Sequence, residues 1–147
     1  MNIIFTGGTG KMDSHYKKIL ISTDGSEKSE NAIYRGIEFA KLTGAKVYAM
    51  YVLDTGAYFD HPVFDKEEAK KYTTDRVEEI GDESGVKIES VIRMGHPADD
   101  IIDFAKKNEI DLIVMGSLGK SGIERFLLGS VSDNVLKHAD TEVLIVP

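Results

Sequence analysis

The chain has 147 residues and a formal net charge of −7, and its 41% hydrophobic and 29% charged residues are typical of one globular domain. It contains no cysteine, which excludes disulfides and thiolate metal sites, and no apolar run approaches the ~20 residues that a membrane-spanning helix requires. These two absences predict a cytoplasmic setting away from membranes. The acidic balance argues separately against nucleic acid as a partner.

The first segment, residues 1–14, is predicted to be a flexible extension or a cloning remnant, and the domain itself is predicted to span residues 15–147. Gly10-Lys11 resembles the end of a phosphate-binding P-loop. That motif would also require Gly at position 5 and Ser or Thr at position 12, where Phe5 and Met12 stand. The extension therefore carries no recognisable phosphate motif.

Short apolar runs alternate with helical patterns along the rest of the chain. The runs predicted as strands are Ile19–Ile21, Val47–Leu53, Val86–Ile92, Leu112–Met115 and Val143–Val146. The helical patterns cover about residues 26–42 and 65–83, a stretch that begins at Pro97, and about residues 130–138. Such alternation predicts an α/β fold, a doubly wound five-stranded parallel sheet with helices on both faces.

Two strand orders are common in such Rossmann-like sheets, and the sequence does not choose between them. The third predicted strand alternates apolar and charged residues, which suggests a sheet edge. Ligands of these folds bind beyond the carboxyl ends of the strands, where the strand order reverses. The segments that follow the strands are therefore the candidates for a binding site.

The segment from Gly116 to Ser130 carries four glycines between a buried strand and a helix. Glycines let backbone N–H groups approach an anion, and a helix start adds unpaired donors. The same glycines could instead shape turns, with Ser130 and Asp133 forming a capping box. A P-loop is excluded, because Val114 stands where its first glycine would be.

The spacing Gly116-x-x-Gly119, nine residues, then Gly129-Ser130 resembles the ATP-binding signature of the universal stress protein family. Residues 17–26 and 143–147 resemble the first strand and turn and the last strand of that family. The resemblance covers about residues 16–147. It implies an adenine nucleotide alpha hydrolase-like fold.

The resemblance also implies ATP as the ligand, accompanied by magnesium or manganese. Asp24 would bond the ribose or stand near a phosphate-bound metal, and Val52 would meet the adenine edge through its backbone. The residues expected to hold ribose and phosphates, mostly through backbone N–H groups, are Gly116, Gly119, Gly129, Ser130 and Val131. Leu118 departs from the family, in which many relatives carry His or Arg at this position.

The resulting hypothesis is a nucleotide-responsive regulator that acts on an unknown protein partner. Two alternatives stay open: a slow ATPase or phosphotransferase, for which Asp24 is the only candidate base, and a dimeric module that binds no nucleotide. A response-regulator receiver is excluded, because Arg93-Met94-Gly95 offers no aspartate after the third strand. Val143–Val146 is expected near a sheet edge, where pairing with a second copy would form a homodimer.

Overall fold

The structure is a computed structural model that describes residues 3–5, 16–55, 70–117 and 128–147. The described strands are β1 (Ile3–Phe5), β2 (Lys18–Ser22), β3 (Lys46–Asp54), β4 (Ile88–Gly95), β5 (Leu112–Gly116) and β6 (Glu142–Val146). The described α-helices are α1 (Glu27–Thr43), α2 (Arg76–Ser84), α3 (Pro97–Lys107) and α4 (Ser130–His138), and a π-helical turn, Lys71–Asp75, precedes α2.

The strands form one sheet in the order β1-β6-β5-β2-β3-β4. Strands β2 to β6 are parallel, and β1 is antiparallel to β6. The five parallel strands thus have the order typical of dinucleotide-binding Rossmann folds, and the order reverses between β2 and β5. The predicted doubly wound parallel sheet is confirmed, and β4 lies at its edge among the described strands, as its alternation suggested.

Helices cover both faces of the sheet, and each face has its own apolar core. On one face α1 and α2 pack over the side chains of Ile19, Ile21, Val47 and Val114. On the other face α3 and α4 pack over those of Leu20, Met50 and Ile113. Because both faces are covered, β2 is apolar at its three central positions and β5 at its first four.

The boundaries of α1 follow from its end residues. The Ser26 side chain caps the first turn, and Gly44 ends the helix in the left-handed conformation (φ 72°), which glycine adopts without strain. Near the middle of α1, a Cβ at Gly36 would lie 2.5 Å from Cδ1 of Ile21 in β2. The missing side chain therefore lets α1 approach the sheet closely at this point.

The structure corrects the predicted flexible extension at residues 3–5, which form β1. Their register pairs Ile3 with Ile145 and Phe5 with Val143. As expected, β6 lies near a sheet edge: it is the outermost parallel strand on its side, and β1 covers it. The physical reason is that an unpaired apolar edge exposes N–H and C=O groups, which even a short apolar segment can satisfy.

The second predicted helix also differs from its prediction. Helical structure is described from residue 70, its first turns are π-helical at Lys71–Asp75, and Gly85 ends α2 in the left-handed conformation (φ 75°). The predicted start at residues 65–69 and most of the predicted loop 54–64 lie outside the described residues. Within the described ranges, no helix combines the length and apolarity needed to cross a membrane.

Candidate functional site

The candidate site lies where the strand order reverses, at the carboxyl ends of β2 and β5. Ser22 and Met115 are partners in the parallel register of these strands. The turn that follows β2 and the segment that follows β5 therefore leave the sheet side by side. Of the predicted site residues, Asp24 lies in the turn after β2, and Gly116 is the last residue of β5.

A compact polar network shapes the turn after β2. The buried hydroxyls of Thr23 and Ser29 are 2.8 Å apart, and the Ser29 hydroxyl also donates to the Ser26 carbonyl oxygen (2.7 Å). The Ser26 hydroxyl accepts from the Ser29 N–H (3.3 Å), which caps α1. Gly25 completes the turn with a φ of 78°, a left-handed conformation that favours glycine. The turn is thus fixed by its own side chains.

The two carboxylate oxygens of Asp24 differ in their contacts: one forms the turn, and the other has no partner among the described residues. Its Oδ1 accepts from the Ser26 N–H (2.9 Å) and from the Ser26 hydroxyl (2.5 Å). Its Oδ2 has no hydrogen bond within the described ranges. The sequence left open whether Asp24 forms the turn or binds a ligand, and this geometry allows both roles at once.

Strand β3 runs past the end of β2, so its last backbone groups on that side have no strand partner in β2. The last backbone hydrogen bond between the two strands joins the Thr23 N–H to the Met50 carbonyl oxygen (3.0 Å). Backbone groups alternate along a strand, so those of Val52 point to the same side as those of Met50, where β2 has ended. The backbone N–H and C=O of Val52 therefore point beyond the end of β2, towards the side of the Asp24 turn.

Two hydrogen bonds tie the segment after β5 to its neighbours. The Ser117 N–H donates to the Val146 carbonyl oxygen (2.9 Å), and the Gly129 N–H donates to the Ser117 carbonyl oxygen (2.7 Å). Residues 118–127, which include the predicted site residue Gly119 and also Leu118, lie outside the described residues. The two ends of the glycine-bearing segment are thus held together at the carboxyl end of β5.

The first turn of α4 has no side-chain cap. Gly129 is the N-cap, and the first intrahelical bond runs from the Asp133 N–H to the Gly129 carbonyl oxygen (2.9 Å). The capping box of Ser130 with Asp133 is therefore wrong: Ser130 is the first helical residue, and the Asp133 carboxylate pairs with Lys137 (2.7 Å). The N–H groups of Ser130, Val131 and Ser132 are left without intrahelical partners.

The comparisons with known proteins agree with this arrangement. A model described as "Universal stress protein family" matches residues 15–147. The chain belongs to the universal stress protein family. The chain is 43% identical over 140 residues to Universal stress protein MJ0531 of Methanocaldococcus jannaschii, an alignment that covers 89% of this chain and 82% of that protein.

Solved structures of similar proteins share the fold. The structure of hypothetical protein MJ0577 has a TM-score of 0.77 at 33% identity and covers 89% of this chain and 95% of that one. A universal stress protein in complex with cAMP has a TM-score of 0.72 at 28% identity, with 90% and 97% covered. The universal stress protein from Archaeoglobus fulgidus in complex with dAMP has a TM-score of 0.70 at 27% identity, with 90% and 98% covered.

Sequence reasoning missed one residue that organises the site of this universal stress protein. The buried Ser132 hydroxyl donates to the Gly116 carbonyl oxygen (2.6 Å) and so ties α4 to the end of β5. The signal was its position beside Gly129-Ser130, on the helix face that also buries Val135. Serine on the inner face of a short helix usually needs a partner, and here that partner is a predicted site residue.

The described residues offer no ready-made metal cage. No group of three or more His, Cys, Asp or Glu side chains in the described part of the chain could hold an ion. Magnesium, however, often binds through one or two carboxylates together with substrate phosphates and water. Asp24 Oδ2 fits that pattern for this universal stress protein, because it is one available carboxylate oxygen beside the uncapped end of α4.

Proposed function

We propose that this universal stress protein binds ATP at the carboxyl ends of β2 and β5, where the strand order reverses, and acts as a nucleotide-responsive regulator. The observation that carries the proposal is the first turn of α4, which has no side-chain cap and lies beside the carboxyl ends of the central strands. Free N–H groups at a helix start, together with the helix dipole, form an anion site. A phosphate is the anion that this family membership suggests.

Each part of ATP has a counterpart in the site. The adenine edge would meet the backbone N–H and C=O of Val52. The ribose hydroxyls would donate to Asp24 Oδ2, and the phosphates would accept from the N–H groups of Ser130, Val131 and Ser132. Gly116 and Gly129 would let the ligand approach the backbone, and Gly119 is proposed to extend the same cradle.

The number of donors is sufficient for useful affinity. A hydrogen bond to a charged group is worth about 1.5–3 kcal/mol. Three such bonds could supply much of the roughly 8 kcal/mol that corresponds to micromolar binding. We expect magnesium or manganese to arrive with the triphosphate and to neutralise phosphate charge, with Asp24 Oδ2 near the ion as the alternative to its contact with the ribose.

A mononucleotide is the second candidate ligand. Two similar proteins have been crystallised with cAMP and dAMP, each of which has a single phosphate. The start of α4 could hold one phosphate as well as the end of a triphosphate chain. The proposed test therefore compares ATP with AMP and cAMP instead of using ATP alone.

The regulatory role is favoured over catalysis by the surroundings of Asp24. Phosphoryl transfer needs a residue that positions the nucleophile, in addition to a phosphate cradle. In the described site Asp24 is the candidate, and its Oδ1 is already engaged by Ser26. We therefore propose that bound nucleotide alters the surface for an unknown protein partner, in a cytoplasmic homodimer that pairs through β6.

The test is to identify any nucleotide released from freshly purified protein and to titrate ATP, AMP and cAMP calorimetrically. Wild type is compared with Gly129→Val, whose side chain would enter the cradle. Leu42→Ala is the matched control, since Leu42 is 85% exposed at the far end of α1. We expect ATP binding in wild type and the control, and at least 100-fold weaker binding in Gly129→Val.

Other outcomes would change the proposal in defined ways. Tight binding of AMP or cAMP with weak binding of ATP would replace the ligand and keep the site. Many turnovers of ATP to ADP by pure protein would replace the regulator by a slow ATPase. The absence of both nucleotide and heat would leave a dimeric interaction module of the same fold.

A further inference from the structure

The contact between β1 and β6 has a defined set of backbone groups. The Ser117 N–H bonds the Val146 carbonyl oxygen, so the backbone groups of Val146 face β5. Because backbone groups alternate along a strand, those of Ile145 and Val143 face β1. Their register partners are Ile3 and Phe5. These two residues therefore make the hydrogen bonds to β6, and the N–H of Ile4 points away from it.

The first strand is separable from the rest of the fold. It is three residues long, whereas strands usually have about five or six. The family match begins at residue 15, so β1 lies outside the matched region, and the other five strands lie inside it. Residues 6–17 join β1 to β2 as a tether.

We propose that β1 is a tethered competitor for the edge of β6, and that a second copy of this chain pairs with that edge when β1 leaves. The inference rests on the proposed homodimer through β6 and does not depend on nucleotide binding. The chemistry of the edge identifies a second copy as the partner. Val143, Leu144, Ile145 and Val146 form an apolar strand, and two such strands related by a two-fold axis can satisfy each other's backbone groups.

The competition is governed by the fraction of chains whose edge is open. A dimer that requires an open edge has an apparent dissociation constant that is raised when most chains keep β1 in place. The covalent link favours β1, because a segment joined to its site by a short stretch of chain is held there at a high effective concentration. Weakening β1 should therefore strengthen dimerisation, although it removes native contacts.

Proline substitutions in β1 test whether its hydrogen bonds to β6 control dimerisation. The double variant Ile3→Pro/Phe5→Pro removes the two N–H donors that face β6. Ile4→Pro is the matched control, since it removes an N–H that faces away and an edge strand tolerates proline there. Sedimentation equilibrium over a wide concentration range gives the dimer dissociation constant of each protein. Circular dichroism and calorimetry with ATP on the same samples show whether the fold and the nucleotide site are intact.

We expect the double variant to dimerise at least tenfold more tightly than wild type, because the loss of two hydrogen bonds opens each edge more often and a dimer needs two open edges. Ile4→Pro should match wild type. Equal dimer dissociation constants in all three proteins would overturn the competition and leave the dimer standing. Weaker dimerisation of the double variant would also overturn it, because β1 would then support the dimer. If all three proteins are monomers at every concentration, both the dimer and the competition are wrong, and the calorimetry still reports separately on nucleotide binding.

Discussion

The helices α1 and α4 both begin at the carboxyl ends of the parallel strands, yet their first turns differ. The start of α1 is capped by Ser26, which is itself held by Asp24, and the buried hydroxyl pair of Thr23 and Ser29 fixes the turn before it. The start of α4 has glycine as its N-cap and no side-chain cap. A capped first turn stabilises the protein, whereas an uncapped one retains donors for a ligand. The difference separates a structural helix start from one that is suited to an anion.

The largest expected effect comes from giving α4 a side-chain cap, which α1 already has. Gly129 has φ −58° and ψ 156°, which any residue can adopt, so Gly129→Asp should cap α4 without strain. Aspartate is a better N-cap than glycine by a few tenths of a kcal/mol. We expect an unchanged or slightly raised free energy of unfolding and at least 100-fold weaker ATP binding, measured by urea denaturation and calorimetry.

Gly129→Asn is the control for charge in that experiment. It can cap the helix without repelling phosphate, so its loss of affinity should lie between those of wild type and Gly129→Asp. Wild-type affinity in the aspartate variant would show that the start of α4 does not hold the phosphates.

The next effect concerns the position of α4 relative to β5. Ser132→Ala removes the hydroxyl bond to the Gly116 carbonyl and should weaken ATP and AMP binding about tenfold, because the N–H groups lose their fixed position. Adenosine, which has no phosphate, should bind Ser132→Ala and wild type equally. Calorimetry with the three ligands checks this prediction.

Two variants complete the test of Ser132. Thr43→Ala removes a comparable hydroxyl-to-carbonyl bond to Phe39 (2.7 Å) at the far end of α1 and should leave all affinities unchanged. Ser132→Thr keeps the hydroxyl and should restore much of the loss. An equal loss for adenosine would point to general loosening of the fold instead of phosphate positioning.

A smaller effect is expected from separating the two roles of Asp24. Asp24→Asn keeps an oxygen for the Ser26 turn and removes the charge, so it should weaken ATP binding severalfold with magnesium present and leave stability nearly unchanged. Asp24→Ala should lower the free energy of unfolding by about 1 kcal/mol as well. Equal binding by wild type and Asp24→Asn, with and without magnesium, would restrict Asp24 to shaping the turn.

The smallest effect is expected far from both helix starts, at Tyr16. Burial, followed by the hydrogen bond to Glu142 (2.5 Å), raises the pKa of Tyr16 to about 12 from 10.0. Because folding favours the neutral phenol, its contribution to stability is complete below pH 10 and is lost as the pH rises towards 12. The stability difference between wild type and Tyr16→Phe should therefore shrink over that range.

Thermal unfolding of the two proteins from neutral to alkaline pH measures this difference. Ultraviolet titration should show one late phenolate that disappears in Tyr16→Phe. ATP affinity at neutral pH should be the same in both proteins. If Tyr16→Phe removed a phenol that titrates near 10 instead of the late one, the assigned contacts would be contradicted.

Periodicity was enough to predict the central fold. The five parallel strands and the bounds of α4 agree with prediction, because buried strands and amphipathic helices leave patterns in the sequence itself. The strand order could not be predicted, since it depends on contacts between distant segments. Nor could β1, because a three-residue strand is stabilised almost entirely by its partner β6.

The candidate site was predictable in its location and less so in its detail. The glycine spacing indicated the segment after β5, and the placement of Asp24 beside Gly116 follows from the parallel register. The capping box failed because Ser130 enters the helix one position later than a cap would. Ser132 escaped notice because its partner, the Gly116 carbonyl, is 16 residues away and comes near only when the sheet forms.

The close approach of α1 to β2 has a consequence for the Asp24 turn. Ile21 fills the notch that Gly36 leaves in α1, so the helix cannot slide along its axis without a collision. That interlock fixes the distance between the end of β2 and the start of α1, which is the span that the Thr23–Ser26 turn must bridge. A side chain added at Gly36 would therefore act at a distance: it would move the Asp24 carboxylate, which lies beyond the start of α1, about half the length of the helix away.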